Sequence, residues 1–256
     1  MTCVTAQNPG GVLGVHAVPA ADVALQLRAV GEGFRPVAAK TGMLYSVEII
    51  DAVVAWMRGS PEIPVVVDPV MIATSGARLS QPRAIRAMCE RLLPLAVVAT
   101  PNRDEAAVLT DVAIRDPEDL RRAARVLRDR YGCAALIKGG HLKGREAVDV
   151  LWDGQDEWLL TAPRVTGVSS HGTGCTFSAA ITGYLALGCD LASAVALAKE
   201  HVTQAIAQSV RVGRHAVLES FWVDEKRSTR REPSRNQPRT HLDGVLRSVG
   251  ETKGGS

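Results

Sequence analysis

The sequence has no apolar run that approaches the roughly 20 residues needed to span a bilayer. Met1-Thr2-Cys3 is not followed by a basic segment and an apolar stretch, so no secretory signal peptide is visible. The five cysteines, at positions 3, 89, 133, 175 and 189, are scattered without pairs, and no Cys/His set has zinc-ligand spacing. These absences argue against a membrane-spanning or disulfide-stapled protein, and they predict a reducing, cytoplasmic location.

The chain also lacks an even distribution of charge. Residues 225–256 carry eight Lys/Arg against four Asp/Glu, or +4, which leaves −1 for residues 1–224 out of the total of +3. The basic pI therefore belongs to the tail and does not argue for a nucleic-acid-binding domain. From Glu225 to Thr240 the tail is rich in Pro, Ser and Arg, which predicts disorder. Leu242 to Val249 is weakly amphipathic and predicts a transient helix.

Residues 1–224 alternate between strand and helix patterns, which predicts one α/β domain with a mainly parallel sheet covered by helices on both faces. Continuous apolar runs predict buried strands, and periodic segments between them predict helices. The predicted strands include 35–41, 64–68, 95–99 and 134–138, and a hairpin of 147–152 with 157–162. The predicted helices include 20–30, 47–58 and 104–109. A further helix has Ser80 as its N-cap and ends before Pro94, and another is capped by Asp116-Pro117. The last predicted helix runs from Asp190 to Gln208.

The most informative stretch is Ser170-His171-Gly172-Thr173-Gly174-Cys175-Thr176, which a helical pattern follows at once. Its two glycines allow backbone turns that a side chain would obstruct. The first amides of the following helix point outward at the positive end of its dipole, so this position suits a phosphate. Cys175 lies in the first turn, where that field is expected to lower the pKa of the thiol. The alternative is a Gly-rich turn that merely starts a helix.

Polar residues stand directly after three predicted strands, where ligands gather in sheets of this kind. Asp68 follows the run Pro-Val-Val-Val, and its carboxylate would face Mg²⁺ or a phosphate, unless Asp-Pro only forms a turn. Lys138 ends another strand before two glycines and would reach a nucleotide phosphate, unless it only extends its ammonium into solvent.

Asn102 and Glu105 form an Asn-x-x-Glu pattern after the third strand. Magnesium takes oxygen ligands and keeps several waters, so one carboxylate acting partly through water would suffice. The alternative is a capping box, with Asn102 at the N-cap and Glu105 at the third helical position. The two interpretations are compatible with each other.

Taken together, these motifs stand in a known order: Asp-Pro-Val-Met, Thr-Pro-Asn-x-x-Glu-Ala, Lys-Gly-Gly-His-Leu and His-Gly-Thr-Gly-Cys-Thr. From about Thr5 to about Gly213 the chain resembles the hydroxymethylpyrimidine/phosphomethylpyrimidine kinases of thiamine biosynthesis, in the ribokinase-like superfamily. The resemblance implies a ribokinase-like α/β fold and an enzyme that uses ATP as co-substrate. Cys175 is fairly specific, because most relatives in the superfamily have Asp at this position.

The resemblance also implies roles for individual residues. Cys175 would be the base that activates the substrate hydroxymethyl group. Phosphoryl transfer needs mainly positioning and neutralisation of charge, which a helix N-terminus and Mg²⁺ supply. The transferring phosphoryl group would lie in an anion hole formed by Gly172, Thr173 and Gly174.

The remaining implied roles concern binding. Glu105, with Asn102, would organise Mg²⁺, partly through water. Asp68 and Lys138 would line the phosphate and nucleotide region. The substrate pyrimidine would be held by two further residues, with a hydrogen bond from Gln7 and packing by Met71.

The sequence departs from the family at both ends. Members have a strand, a Gly/Ser-rich substrate loop and a helix before the position of Gln7, and this sequence opens at Met1 without them. The family's Gly-rich segment after the last helix appears only as Val212-Gly213-Arg214-His215. Two rival functions stay open. One is a pyridoxal kinase of the same superfamily, which would more often have Asp at position 175. The other, which rests on the missing start, is a truncated non-catalytic or regulatory pyrimidine-binding module. The resemblance further implies a homodimer that acts on a small molecule, with no nucleic acid or membrane partner.

Overall fold

The computed structural model describes residues 1–8, 10–71, 79–140, 142, 144–165, 172–213 and 215–220, and the backbone of residues 246–248. The strands are β1 (Cys3–Asn8), β2 (Gly11–Ala17), β3 (Ala39–Thr41), β4 (Val65–Val67), β5 (Val98–Ala99), β6 (Ala134–Lys138), β7 (Glu146–Trp152), β8 (Glu157–Pro163), β9 (Val210–Val212), β10 (His215–Val217) and β11 (Leu246–Ser248). The α-helices are α1 (Ala20–Phe34), α2 (Val47–Gly59), α3 (Pro82–Ala87), α4 (Arg103–Thr110), α5 (Pro117–Tyr131), α6 (Thr173–Ala186) and α7 (Leu191–Ala207).

Seven of the described strands form one sheet, in the order β11-β8-β7-β6-β5-β4-β3. Strands β3 to β6 pair in parallel, whereas β7, β8 and β11 continue the sheet antiparallel. The α/β architecture expected from the alternating pattern is confirmed, with a mixed sheet. Strands β1 with β2 and β9 with β10 form separate two-stranded sheets. Because β4, β5 and β6 run in parallel, the polar residues that follow them meet at one edge of the sheet.

The sheet separates two hydrophobic cores. Side chains alternate across a strand, so Val65 and Val67 enter one core and Val66 enters the other. The first core also contains residues of α1 to α5, such as Leu127, and the second contains residues of α6 and α7, such as Phe177. The apolar β4 run is therefore explained by burial on both faces.

Polar side chains start several helices as the sequence predicts. Asp116 accepts a hydrogen bond from the amide of Asp119 at 2.9 Å, and Asp190 accepts one from the amide of Ser193 at 2.9 Å. The helix α5 ends at Gly132, whose φ of 77° lies in the left-handed region that favours glycine. These signals hold because a helix cap is a local interaction within three residues of the chain.

Other expected boundaries are wrong. Ser80 does not cap α3: the N-cap is Gln81, and the Ser80 hydroxyl instead donates to the carbonyl of Val70 at 2.9 Å. After α3 the chain continues as a short π-helix over Met88–Leu92 and a short 3₁₀-helix over Leu93–Leu95, so Leu95 lies outside β5. Proline is tolerated in the first turn of a helix, so Pro94, at the second position of the 3₁₀-helix, does not interrupt the helical conformation there.

The strand expected from Arg35 begins only at Ala39, because α1 extends to Phe34 and Arg35 takes the left-handed conformation that ends it. In the tail, residues 246–248 form β11 against β8 rather than a helical turn. Residues 225–245 and 249–256 lie outside the described residues, so the disordered tail stays a prediction. Among the described residues, no helix is both long and apolar enough to cross a membrane.

Leu→Ala should reduce stability by different amounts at a buried and at an exposed position. Leu127 on α5 is 0% exposed and Leu25 on α1 is 53% exposed. Leu127→Ala should lower the free energy of unfolding by about 2–5 kcal/mol, because it leaves a cavity. Leu25→Ala should change it by less than about 1 kcal/mol. Urea denaturation of both variants measures the difference, and equal losses would contradict the assignment of Leu127 to the core.

Candidate active site

The ends of β4, β5 and β6 and the start of α6 line one open cavity of about 1500 Å³. The structure brings most of the residues predicted from the sequence onto its wall. Those residues are Gln7, Asp68, Asn102, Glu105, Lys138, Gly172, Thr173, Gly174 and Cys175. Residues separated by more than one hundred positions in the chain therefore share one site, which the parallel sheet order accounts for.

Asp68 is a buried carboxylate, 3% exposed, directly after β4. Its Oδ1 accepts from Lys138 Nζ at 3.1 Å and from the Thr100 hydroxyl at 3.3 Å. Its Oδ2 accepts from the Ser178 hydroxyl at 3.0 Å and lies 4.0 Å from Lys40 Nζ. A buried charge is tolerated only when it is paired and hydrogen-bonded, and Asp68 meets both conditions. The residue thus links the ends of several strands to α6.

Lys138 ends β6 and extends its ammonium group toward α6. A Cβ placed on Gly174 would lie 3.1 Å from Lys138 Nζ, so glycine at 174 leaves room for the ammonium group. Gly172 serves a different purpose, because it is the N-cap of α6 with a φ of 81°. The two glycines of the motif are therefore explained by close approach in one case and by backbone conformation in the other.

The first turn of α6 lies on the cavity wall beside that ammonium group. The N-terminus of a helix carries the positive end of the helix dipole. Together with Lys138 and Lys40 it makes this part of the cavity suitable for a phosphate. Ser170 and His171 of the same motif lie outside the described residues.

The thiol of Cys175 does not have the lowered pKa expected from its place in the helix. Although the residue is exposed on the cavity wall, its pKa is raised above the ordinary value, chiefly because nearby protein atoms withdraw the thiol from water. The carboxylate of Asp68 raises the pKa further, while the ammonium groups of Lys40 and Lys138 lower it. The expectation considered only the helix dipole, whereas burial and a facing carboxylate have the larger effect.

Asn102 and Glu105 form the capping box that the sequence allowed. The Asn102 Oδ1 accepts from the amides of Asp104 and Glu105 at 2.9 Å, and Glu105 Oε2 accepts from the Asn102 amide at 2.9 Å. Glu105 Oε1 also accepts from the amide of Met71 at 3.4 Å. Burial of the carboxyl raises the pKa of Glu105 to about 7, although Lys138 and the backbone amides act in the opposite direction.

These contacts bear on the predicted magnesium site. Both carboxylate oxygens of Glu105 already accept backbone hydrogen bonds, so the residue suits an ion held through water better than a direct ligand. Among the described residues, no group of three or more His, Cys, Asp or Glu side chains could hold a metal ion. The oxygen-rich pair Asn102 and Glu105 nonetheless lines the cavity next to Lys138 and fits a hydrated hard cation.

The two residues expected at the pyrimidine differ in position. Gln7 is exposed on β1 and lines the cavity. Met71 is 2% exposed and packs in the first core, and it is not among the residues that line the cavity. In this structure Met71 therefore supports the site from beneath, with its amide bonded to Glu105.

Several residues near the site were missed from the sequence. Lys40 is the residue before the end of the parallel strand β3, so a search for charged residues close to strand ends could have identified it. Asp149 and Lys199 form a buried ion pair with Nζ 2.6 Å from Oδ2, and both line the cavity. Their signal was a charged residue inside an apolar strand and another on the apolar face of a helix.

With this geometry in place, comparison with known proteins is decisive. The family model for phosphomethylpyrimidine kinase matches residues 1–218. This chain belongs to the phosphomethylpyrimidine kinase family. It is 45% identical over 215 residues to the hydroxymethylpyrimidine/phosphomethylpyrimidine kinase of Synechococcus elongatus, which covers 84% of this chain and 81% of that protein. It is 45% identical over 214 residues to the thiamine biosynthesis bifunctional protein ThiED of Geobacter sulfurreducens, which covers 84% of this chain but only 44% of that protein.

Solved structures show the same family fold. The ADP complex of Bacillus subtilis pyridoxal kinase matches with a TM-score of 0.78 at 32% identity, covering 86% of this chain and 84% of that one. The ribokinase-like fold implied by the sequence motifs is confirmed by this similarity. The phosphomethylpyrimidine kinase model ends before the basic tail, so residues 219–256 lie outside the family match.

The raised pKa of Glu105 predicts a pH dependence of stability. A free glutamate of this kind releases its proton near 4.5, whereas the folded protein holds it to about 7. The folded state binds the extra proton between these values, so the contribution of Glu105 to stability is fully present below pH 4.5 and is lost as the pH rises to about 7, by roughly 3 kcal/mol. Glu105→Gln should remove this slope in denaturation curves. Asp104→Asn, an exposed neighbour, is the control and should keep it, and a wild-type slope in Glu105→Gln would contradict the prediction.

The raised pKa of Cys175 predicts slow alkylation. Iodoacetamide reacts with the thiolate, so modification of Cys175 at pH 7.5 should be slow and should accelerate as the pH rises. Asp68→Asn removes a facing negative charge and should speed the reaction at neutral pH. Site-resolved mass spectrometry measures the rates, with Asp51→Asn, outside the cavity lining, as the control. An unchanged rate in Asp68→Asn would contradict the electrostatic account.

Proposed function

We propose that this chain transfers the γ-phosphoryl group of ATP to the hydroxymethyl group of 4-amino-5-hydroxymethyl-2-methylpyrimidine, and to that of its monophosphate. The observation that carries the proposal is Cys175 in the first turn of α6, beside Lys138 and Asp68, in a chain matched by the family over residues 1–218. Kinase relatives of the same family make ATP the expected co-substrate, and the place of the reaction would be thiamine diphosphate biosynthesis.

The anion site supplies most of the proposed catalysis. The amides of Gly172, Thr173 and Gly174 would hold the transferring phosphoryl group, and Lys138 would approach it across Gly174. Charge that develops on phosphoryl oxygens is stabilised by donors that are already in place before the reaction. Asp68 would hold the Lys138 ammonium in that place through the 3.1 Å contact.

Cys175 would accept the proton of the substrate hydroxyl group. Because its pKa is raised, the thiolate is the minor form at neutral pH, so the rate should increase with pH. Lys40 and Lys138 favour the thiolate, and Asp68 and Glu105 oppose it. The reactive form of Cys175 therefore depends on the balance of charges around it.

The other assignments concern binding. Asn102 and Glu105 would hold Mg²⁺ through water, and this ion would neutralise charge on the nucleotide phosphates. Gln7 would hydrogen-bond the aminopyrimidine from its place on β1. Met71 would pack on the ring or support the site from beneath, where its amide bonds to Glu105. We also propose a homodimer, which is supported by the exposed apolar side chains of the separate β1–β2 sheet, such as Leu13.

A direct assay tests the proposed function. Purified protein, ATP and Mg²⁺ should convert the hydroxymethylpyrimidine to its phosphate and then to its diphosphate, as followed by mass spectrometry. Pyridoxal is the competing substrate, because a pyridoxal kinase has the same fold. Preferred phosphorylation of pyridoxal would make the chain a pyridoxal kinase. Pyrimidine binding without phosphorylation of either alcohol would make it a binding module.

The base assignment has its own test. Cys175→Ala should keep ATP binding and lose about 10²- to 10⁴-fold in the rate of phosphoryl transfer, because general-base contributions have this size. Cys189→Ala is the matched control, since Cys189 lies between α6 and α7 outside the cavity lining. Single-turnover kinetics and calorimetry with ATP separate transfer from binding. Near-normal turnover in Cys175→Ala would remove Cys175 from the reaction.

A further inference from the structure

A buried ion pair borders the cavity close to Lys138 and has no role in the reaction described above. Lys199 on α7 and Asp149 on β7 meet with Nζ 2.6 Å from Oδ2, and their side chains are 6% and 5% exposed. Lys199 Nζ also donates to the carbonyl of Ala147 at 3.1 Å. Buried ion pairs contribute little net stability, because the cost of removing both charges from water offsets their attraction. The role of the pair is therefore better explained by the groups that it holds in place than by stability.

The second oxygen of Asp149 points at the turn that follows Lys138. Its Oδ1 accepts the backbone N–H of Gly139 at 2.9 Å, and this bond is buried. Asp149 is also the register partner of Lys138 in the antiparallel pair of β6 and β7. The carboxylate therefore fixes the direction of the chain directly after the lysine.

The turn has little freedom to move in any other direction. A Cβ on Gly139 would lie 2.3 Å from the Val148 carbonyl oxygen and 2.6 Å from Leu120 Cδ1, so the backbone is packed tightly between β7 and α5. Lys138 directly precedes Gly139, and its Nζ contacts Asp68 and lies next to Gly174. A shift of Gly139 would consequently move the start of the Lys138 side chain relative to the anion site.

We propose that Asp149 is a positioning residue for Lys138, which it sets through its hydrogen bond to the Gly139 amide, and that Lys199 is the countercharge that makes this carboxylate tolerable in the interior. The inference rests on the proposed function in one respect, the placement of the nucleotide phosphates at Lys138. The hydrogen bond to Gly139 positions Lys138, whereas the charges of the Asp149–Lys199 pair do not contribute to that positioning.

Two double variants separate the bond from the charge. Lys199→Met with Asp149→Asn removes both charges but keeps a side-chain oxygen that can accept from Gly139. Lys199→Met with Asp149→Leu removes both charges and the acceptor, at similar side-chain size. Neither variant leaves an unmatched buried charge, so a difference between them reports the Gly139 bond. Lys199→Met with Asp149→Val, a residue suited to a strand, replaces the leucine variant if that one does not fold.

The readouts are the KM for ATP, kcat and the Kd for ATP by calorimetry, each with a melting temperature. The asparagine variant should stay within about threefold of the wild type, and the leucine variant should lose roughly tenfold or more in ATP affinity or kcat, the size expected for one buried hydrogen bond. In a Lys138→Met background the difference between the two should disappear, because the bond acts through Lys138.

Three outcomes would overturn the inference. Two variants with wild-type kinetics would show that the pair only stabilises the fold. Two equally impaired variants would show that the Lys199 ammonium itself is needed. A difference that persists without Lys138 would show that Asp149 acts by another route. If the wild type phosphorylates no pyrimidine, the proposed function fails, while the Kd for ATP in the same variants still decides this inference.

Discussion

The site depends on one buried carboxylate, that of Asp68 at the end of β4. Its two oxygens accept from Lys138 on β6, from Thr100 after β5 and from Ser178 on α6. An unpaired charge would be costly in this position, so these contacts favour the assembly of the three segments around Asp68. The same contacts place the Lys138 ammonium beside the first turn of α6. One set of contacts thus holds these segments together and builds the proposed phosphate site.

The chemistry follows from the balance of charges around that carboxylate. Asp68 and Glu105 supply negative charge to the cavity, and Lys40 and Lys138 supply positive charge. Burial is the main cause that raises the pKa of Cys175 above its ordinary value and that of Glu105 to about 7, and these charges modify both values, with Asp68 raising and Lys138 lowering each of them. A nucleotide that engages the lysines, or a hydrated cation next to Glu105, would change the balance. Reactivity of Cys175 is therefore coupled electrostatically to what occupies the rest of the site.

The sequence predicted those features that depend on local pattern. Asp68, Asn102 and Lys138 follow apolar runs, and parallel strands necessarily bring such positions together, so most of the site was predictable. Asp149 and Lys199 were missed because they meet only in the folded chain, 50 residues apart. The pKa direction expected for Cys175 was wrong for the same reason, since its burial and its facing neighbour Asp68 both arise only in the folded chain. Serine is a residue type that often caps helices, but the Ser80 hydroxyl donates a hydrogen bond to the carbonyl of Val70 instead.

The most direct test of this account is a double-mutant cycle between Asp68 and Lys138 in the ATP-dependent phosphorylation of hydroxymethylpyrimidine. The rates of the wild type, Asp68→Asn, Lys138→Met and the double variant would be measured under saturating ATP. If Asp68 acts largely by holding Lys138, the second substitution should add little to the first, because groups in direct contact do not act independently. Effects that simply multiply would contradict the account, because they would show that the carboxylate and the ammonium group act separately.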